Sequence, residues 1–294
     1  MNNFKAYIKT TKLNGLLILM LASMAACTEY IEMEPATYQK VLIVDATLTN
    51  EHKQHLVKLS ATKKIDEVDY PRISDALVTV SFNDTMIHFY ENDTLPGYYY
   101  SDTVFAGVPY TSYQLSISQI DINSDGISET YTAEATMPAA LSIDSVTYTY
   151  IPEWEAMALN CWALDPPERN YYNFRAWKND TLVTDSIFEF QAVDDLMFNG
   201  NYINGVDCQY LNDEKVDEFV RNDDVLTLEI ENIDLAYFEY ISTAISGYYG
   251  YNPMFGGLPA NLTSNLSNDA MGIFRVYTRN KASVTVKDLK RENE

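Results

Sequence analysis

From Val41 onward the chain consists of short runs rich in β-branched and aromatic residues, in which apolar and polar side chains alternate between turn signals. A period of two is what a strand with one buried face requires, and helical periodicity is scarce by comparison. The pattern therefore commits most of the sequence to sheets. In the first half it predicts strands over 41–47, 55–61, 76–82, 86–91, 98–102, 112–119 and 130–136. Turns are expected at Asn83-Asp84, Leu95-Pro96-Gly97 and Ser124-Asp125-Gly126. Seven strands of this kind complete one sandwich of two face-to-face sheets.

The run Met137-Pro138-Ala139-Ala140 interrupts the alternation and marks a domain boundary, because proline cannot donate to a strand ladder. Strands resume over 143–150, 156–163, 171–177, 182–192, 225–233, 274–278 and 283–286. Asp234 can cap one helix near 235–246, ended by Gly247. The expected fold is all-β: two β-sandwich domains, 40–137 and 138–294, the second with a short helical insertion.

The first residues read differently. Lys5, Lys9 and Lys12 precede the apolar stretch 16–22, and a small-residue run ends at a cysteine, the three parts of a secretory signal peptide over 1–26. The apolar stretch is shorter than the roughly 20 residues a spanning helix needs. Met24-Ala25-Ala26-Cys27 resembles the bacterial lipobox, which makes Cys27 the expected lipidation site; the alternative is a plain secreted chain cleaved near Ala26. Several acyl chains would hold the protein stably, since each buried methylene contributes about 0.8 kcal/mol. An acidic tether, 27–39, follows.

Loss of 1–26 removes three lysines and no acids, taking the formal charge from −22 to −25. A surface this negative repels phosphates, which excludes nucleic-acid binding. A hydrophobic content of 47% excludes disorder. With Cys27 lipidated, Cys161 and Cys208 are left either as one disulfide or as two small buried thiols.

Few constellations carry chemistry. Asp121, Asn123 and Asp125, with Gly126 and then Glu129, have the oxygen spacing of the first part of a calcium loop. Position twelve is Thr132 where a bidentate Glu belongs, so a polar hairpin with solvated carboxylates competes with calcium as the reading. His52, His55 and His88 are the only histidines, and their spacing argues against a zinc or imidazole-based centre. Acid pairs occur at 194–195, 213–214, 217–218 and 223–224, which read as solvated loops or, in a hydrolase, as facing carboxylates. The run containing Tyr248, Tyr249, Tyr251 and Phe255 is either a recognition surface or a cap on the core. Asp-Ser/Thr-apolar triplets centred on Thr85, Thr94, Thr103, Ser145, Thr181 and Ser186 resemble acceptors of bacterial O-glycosylation.

The order Ala76–Val80, Gly97-Tyr98-Tyr99, Gly107 and Tyr113–Ile117 resembles a transthyretin-type or carboxypeptidase-regulatory-like sandwich. More broadly, Val44–Asn50, Ser74-Asp75-Ala76, Ile143–Val146, Asp165-Pro166, Asn170-Tyr171-Tyr172, Pro259–Asn265 and Met271–Phe274 resemble an uncharacterised group of Bacteroidota lipoproteins, domain of unknown function 4249. The resemblance implies a surface or outer-membrane lipoprotein, often encoded beside TonB-dependent outer-membrane receptors, and brings no known activity. The expected function is a non-enzymatic accessory or ligand-binding partner of outer-membrane transport or assembly. The rivals are a surface hydrolase acting on glycans through loop carboxylates and a structural envelope module.

Overall fold

Alternation along the first strands decides what the first sheet encloses. In β1 (Leu42–Thr49) the even positions Leu42, Val44, Ala46 and Leu48 are buried, while Ile43, Asp45 and Thr47 on the other face are half-buried. The same logic places β2 (Leu56–Ala61), β3 (Leu77–Phe82), β4 (Thr85–Asn92), β5 (Leu95–Ser101), β6 (Ser112–Ile120) and β7 (Glu129–Thr136). The computed structural model describes residues 38–64, 67–249 and 262–289. These seven strands pair in the order β1-β2-β5-β4-β3-β6-β7. Their core gathers Leu59, Val78, Tyr99, Tyr113, Leu115 and Ile117, among others. Tyr99 buries its ring and donates its hydroxyl to Ile73 O (2.9 Å), while Ala76 N donates to it (3.1 Å), so one side chain ties the core to an edge loop. The turn expected at Leu95-Pro96-Gly97 lies earlier, at Asp93-Thr94, where Asn92 Oδ1 accepts the Thr94 and Leu95 amides; β5 already begins at Leu95.

The second core lies between two sheets. One pairs β13 (Tyr202–Asn212), β9 (Ala156–Leu164) and β8 (Ile143–Ile151). The other contains β10 (Tyr171–Lys178), flanked on one edge by β11 (Thr181–Leu182) and β12 (Gln191–Asp194) and on the other by β14 (Val225–Ile233). Met157, Leu159, Phe174, Leu211, Leu226 and Leu228 meet between them. The all-β expectation holds, with one helix, α1 (Leu235–Tyr249), among the described residues. Asp234 Oδ1 accepts the Tyr237 amide (2.9 Å) and so caps α1, which runs through Gly247 to Tyr249.

The sheet of β1–β7 and the sheet containing β10 and β14 share the last strand, β15 (Met271–Thr285), and so run on into one another. Met271–Tyr277 pair in parallel with β1, and Thr278–Thr285 pair antiparallel with β14. Phe274 and Val276 enter the first core and Val286 the second. Just before β15, Leu266 bridges Ala133 and Ser267 bonds Thr132, which covers the free edge of β7. From Gln39 onward the chain is one compact unit. The connection 137–140 is pinned within it: Ala139 O accepts from Asn232 Nδ2 (2.8 Å) and Thr278 Oγ1 (2.7 Å).

The structure departs from the expected elements in three places. The strands predicted over 274–278 and 283–286 are one, because the polar residues between them have partners: Asn280 Nδ2 donates to Leu141 O and Lys281 Nζ reaches Glu229. The strand predicted over 182–192 is broken where Ser186 and Glu189 form a reciprocal capping box around a 3-10 turn, Ile187–Glu189. Strand β13 was not expected at all, and an Asn-Gly pair such as Asn204-Gly205 ordinarily favours a turn. Gly205 instead forms a bulge with φ +66°, and a Cβ there would lie 2.7 Å from the Trp162 ring.

Gly272 opposes Val44 in the parallel pairing at φ +96°, where a Cβ would overlap the Val44 carbonyl. Gly126 has a similar φ of +87° but open space around it. Gly272→Ala is therefore expected to lose about 3 kcal/mol in urea unfolding and Gly126→Ala about 1 kcal/mol. Equal losses would show that backbone strain alone, and not the closeness of β15 to β1, sets the cost.

Candidate functional site

The face of the shared sheet that points away from the second core carries a ladder of charge. Asn173, Arg175 and Trp177 of β10 stand beside Glu231, Glu229 and Thr227 of β14, which stand beside Arg279, Lys281 and Ser283 of β15. Period two puts all of them on one face. Glu229, fully buried, accepts at one oxygen from Trp177 Nε1 (2.6 Å), Arg279 Nη2 (2.6 Å) and Lys281 Nζ (3.2 Å). Glu231 accepts from Asn173 Nδ2 (2.7 Å) and lies 3.7 Å from Arg175. Burial pushes the Glu231 carboxyl up, against the pull of Arg175 and Asn173.

The ladder continues along β15 onto β1. Arg275 donates from Nε to Thr47 Oγ1 (2.7 Å) and from Nη2 to Asp45 Oδ1 (2.8 Å), and Arg279 reaches Glu51 (3.0 Å). Burial disfavours an ionised Asp45, but Arg275 and Lys58 outweigh it and hold its carboxyl below the usual range. The seam between the two sheets is thus bridged by side chains as well as by the shared backbone.

Beside the ladder the same face is apolar, and α1 packs there. Tyr237 and Ile241 of α1 meet Ile233, Ile273 and Tyr277, with the 3-10 turn alongside. The elements do not close completely. A cleft of about 470 Å³ remains, walled by Tyr237, Tyr240, Phe190, Arg175, Arg275 and Asp45. The Arg275 guanidinium lies over the Tyr237 ring (5.4 Å) and Arg175 over Phe190 (4.7 Å). Burial pushes the Tyr237 hydroxyl up to about 12, so it stays protonated and able to donate. Phe190 also lines a second, more open groove of about 440 Å³ along α1, with Phe188, Ser242, Ile245 and Tyr249. Aromatic faces and fixed guanidinium donors around one hollow suit recognition of a ligand or of a segment of another protein.

The residues singled out from sequence fall mostly elsewhere. Tyr248 and Tyr249 are exposed at the end of α1, Tyr248 stacked on Phe188 (4.1 Å) and edge-on to Tyr249 (5.1 Å). They border the groove, whereas Tyr251, Phe255 and Cys27 lie outside the described residues. Asp121, Asn123, Asp125 and Glu129 do not converge as calcium ligands. Asp121 accepts the amides of Asp125 (3.1 Å) and Gly126 (2.8 Å), Asp125 accepts that of Ile127, Glu129 accepts from Tyr131, and Asn123 is exposed. Among the described residues no three His, Cys, Asp or Glu are grouped to hold a metal. Cys161 and Cys208 are buried free thiols, and their hydrogen bond together with burial pushes the Cys208 thiol up.

His55 is buried against Phe105 and its imidazole is pushed down to about 4 by burial, which keeps it neutral. Thr85, Thr94, Thr103, Ser145 and Thr181 are exposed, while the Ser186 hydroxyl is spent on its cap. Of the acid pairs, Glu218 is buried on Lys215 and the Asn212 amide, and Asp224 holds Asn179 and the Arg221 amide, so these carboxylates anchor loops. The cleft itself carries no local signal, because its walls come from β1, β10, the segment around the 3-10 turn, α1 and β15; the signal that could have pointed to a polar face is the charged residues inside apolar strands, Glu229, Glu231, Arg275 and Arg279.

A family model described as Domain of unknown function (DUF4249) matches residues 28–283. No curated protein matches the chain.

If the ladder specifies the seam, Glu229→Gln should cost about 3 kcal/mol in urea unfolding, because the shape is kept while Arg279 and Lys281 lose their counter-charge. Adding Arg279→Met should recover part of that loss. A Gln variant as stable as the wild type would show the ladder to be dispensable.

Proposed function

The chain belongs to the DUF4249 family, and on that footing we propose that it is a non-enzymatic binding protein of the outer membrane, anchored by a lipid on Cys27. In this reading it acts as an accessory to a transport or assembly barrel of the TonB-dependent type. The observation that carries the reading is the cleft at the seam. It is preformed on a sheet face fixed by buried ion pairs, its walls combine aromatic rings with guanidinium donors, and exposed Tyr248 and Tyr249 border the neighbouring groove along α1. Rigid amphipathic rings supply contact area at low entropic cost, as binding surfaces require. No helix among the described residues is long and apolar enough to cross a membrane, and the leader and lipobox supply the anchor in this reading.

Two measurements test it. Cys27→Ser, which lacks the thiol that accepts the lipid, is expected to leave the membrane fraction; unchanged fractionation refutes the anchor. Affinity capture of the tagged wild type from solubilised membranes is expected to recover a β-barrel receptor, identified by mass spectrometry. The pair Tyr248→Ala and Tyr249→Ala, at exposed positions, should lower that recovery at least several-fold while leaving the melting temperature unchanged, since truncating aromatics that an interface buries is what weakens most interfaces. Capture with no barrel, or recovery indifferent to these changes, argues against the proposal.

A further inference from the structure

The second sandwich is hollow at one end. Between β10 and β12 of one sheet and β13 of the other lies a cavity of about 370 Å³, within the roughly 300–1,000 Å³ usual for small-molecule sites. It is separate from the seam cleft. Its walls are apolar and aromatic: Tyr172, Phe174, Val193, Phe198, Ile203 and Val206. Four carboxylates, Asp165, Asp194, Asp195 and Asp207, also line it, and no lysine, arginine or histidine does.

Three of these acids have partners that account for them. Asp165 accepts from the Tyr172 hydroxyl (2.6 Å) and the Gly200 amide (3.0 Å), Asp207 from Asn160 Nδ2, and Asp194 sits 3.5 Å from Arg169 at the rim. Asp195 is different. It is 2% exposed, its Oδ2 accepts the Asn170 amide (2.7 Å), and its Oδ1 is buried without any partner. The backbone holds it there, because its carbonyl accepts the Phe198 and Asn199 amides (both 2.7 Å) in the turn that closes the cavity.

A buried carboxylate oxygen with nothing to accept from is costly, and the cost is relieved by a donor carrying positive charge. The acids are not grouped as a metal site, and apolar walls offer a hard cation nothing in exchange for its hydration. They do offer burial to a hydrocarbon body, and the Tyr172 and Phe174 rings offer attraction to an ammonium. We propose that this cavity binds a small organic cation, an ammonium group borne on an apolar chain or ring, with Asp195 Oδ1 as its acceptor. The negative charge of the whole chain favours the arrival of such a ligand.

Titration of the full chain with hexylammonium, followed by calorimetry and by the melting temperature, tests this, with hexanol and hexanoate as probes of equal length and calcium chloride as a bare cation. Hexylammonium should bind and raise the melt, at least tenfold more tightly than hexanol; hexanoate and calcium should do neither. Asp195→Asn keeps an acceptor for the Asn170 amide and should weaken hexylammonium at least tenfold while leaving hexanol unchanged. Val193→Trp, at a rim position that is 42% exposed, should fold normally and block both probes. Absence of hexylammonium binding at millimolar concentration, equal binding of hexanol, or an Asp195→Asn variant that binds as the wild type does would each overturn the assignment.

Discussion

The division of one strand's hydrogen bonds between two sheets is the constraint on which this architecture rests. Met271–Tyr277 complete the edge of β1, and the next residue begins the antiparallel ladder with β14. A strand used this way must satisfy three environments at once: the first core, the second core, and the outer face that runs continuously past both. Phe274 and Val276 serve the first of these, Val284 and Val286 pack with the second, and the third is met by Arg275, Arg279 and Lys281. Sliding β15 by one residue would drive these cations into apolar packing and turn Phe274 outward, so the ladder opposes misregistration far more strongly than it stabilises the native state.

That rigidity also presets the walls of the adjoining cleft. The guanidinium groups of Arg175 and Arg275 are held by carboxylates on neighbouring strands and stacked on rings of the elements that cover them. Their planes are therefore oriented before any ligand arrives, and a ligand that uses them is spared the ordering of two long side chains. The polar face is costly in isolation. It is tolerable because four acids, Asp45, Glu51, Glu229 and Glu231, meet four cations across four strands, β1, β10, β14 and β15, and the loop after β1.

The sequence is informative wherever each strand buries one face. The first seven strands fall within a few residues of their expected positions, because alternation in β1 or β6 directly reflects which side meets the core. Alternation fails where both faces are covered. In β14 only Val225 at its start escapes burial, so Glu229 and Glu231 look like interruptions when they are the polar half of a two-sided strand. It also fails where polar residues find distant partners, as Asn280 does with Leu141, and where a glycine that signals a turn instead accommodates a ring, as Gly205 does under Trp162. The cleft was illegible for a simpler reason: Asp45 and Arg275 meet across more than two hundred residues of chain, and no local pattern encodes that meeting.

The parallel pairing of β1 with β15 also sets a timetable. As the chain emerges from its N-terminus, β1 and β2 can form a hairpin early, but the other edge of β1 stays open until the final strand has been made. Until then Leu42, Val44 and Leu48 lack Phe274 as a neighbour, and the edge displays free amides and carbonyls to any passing strand. Contacts of such sequence separation are slow to form. The protein is thus exposed to mispairing throughout its own synthesis, and loss of a few residues from the last strand would unmake the first sheet along with the second.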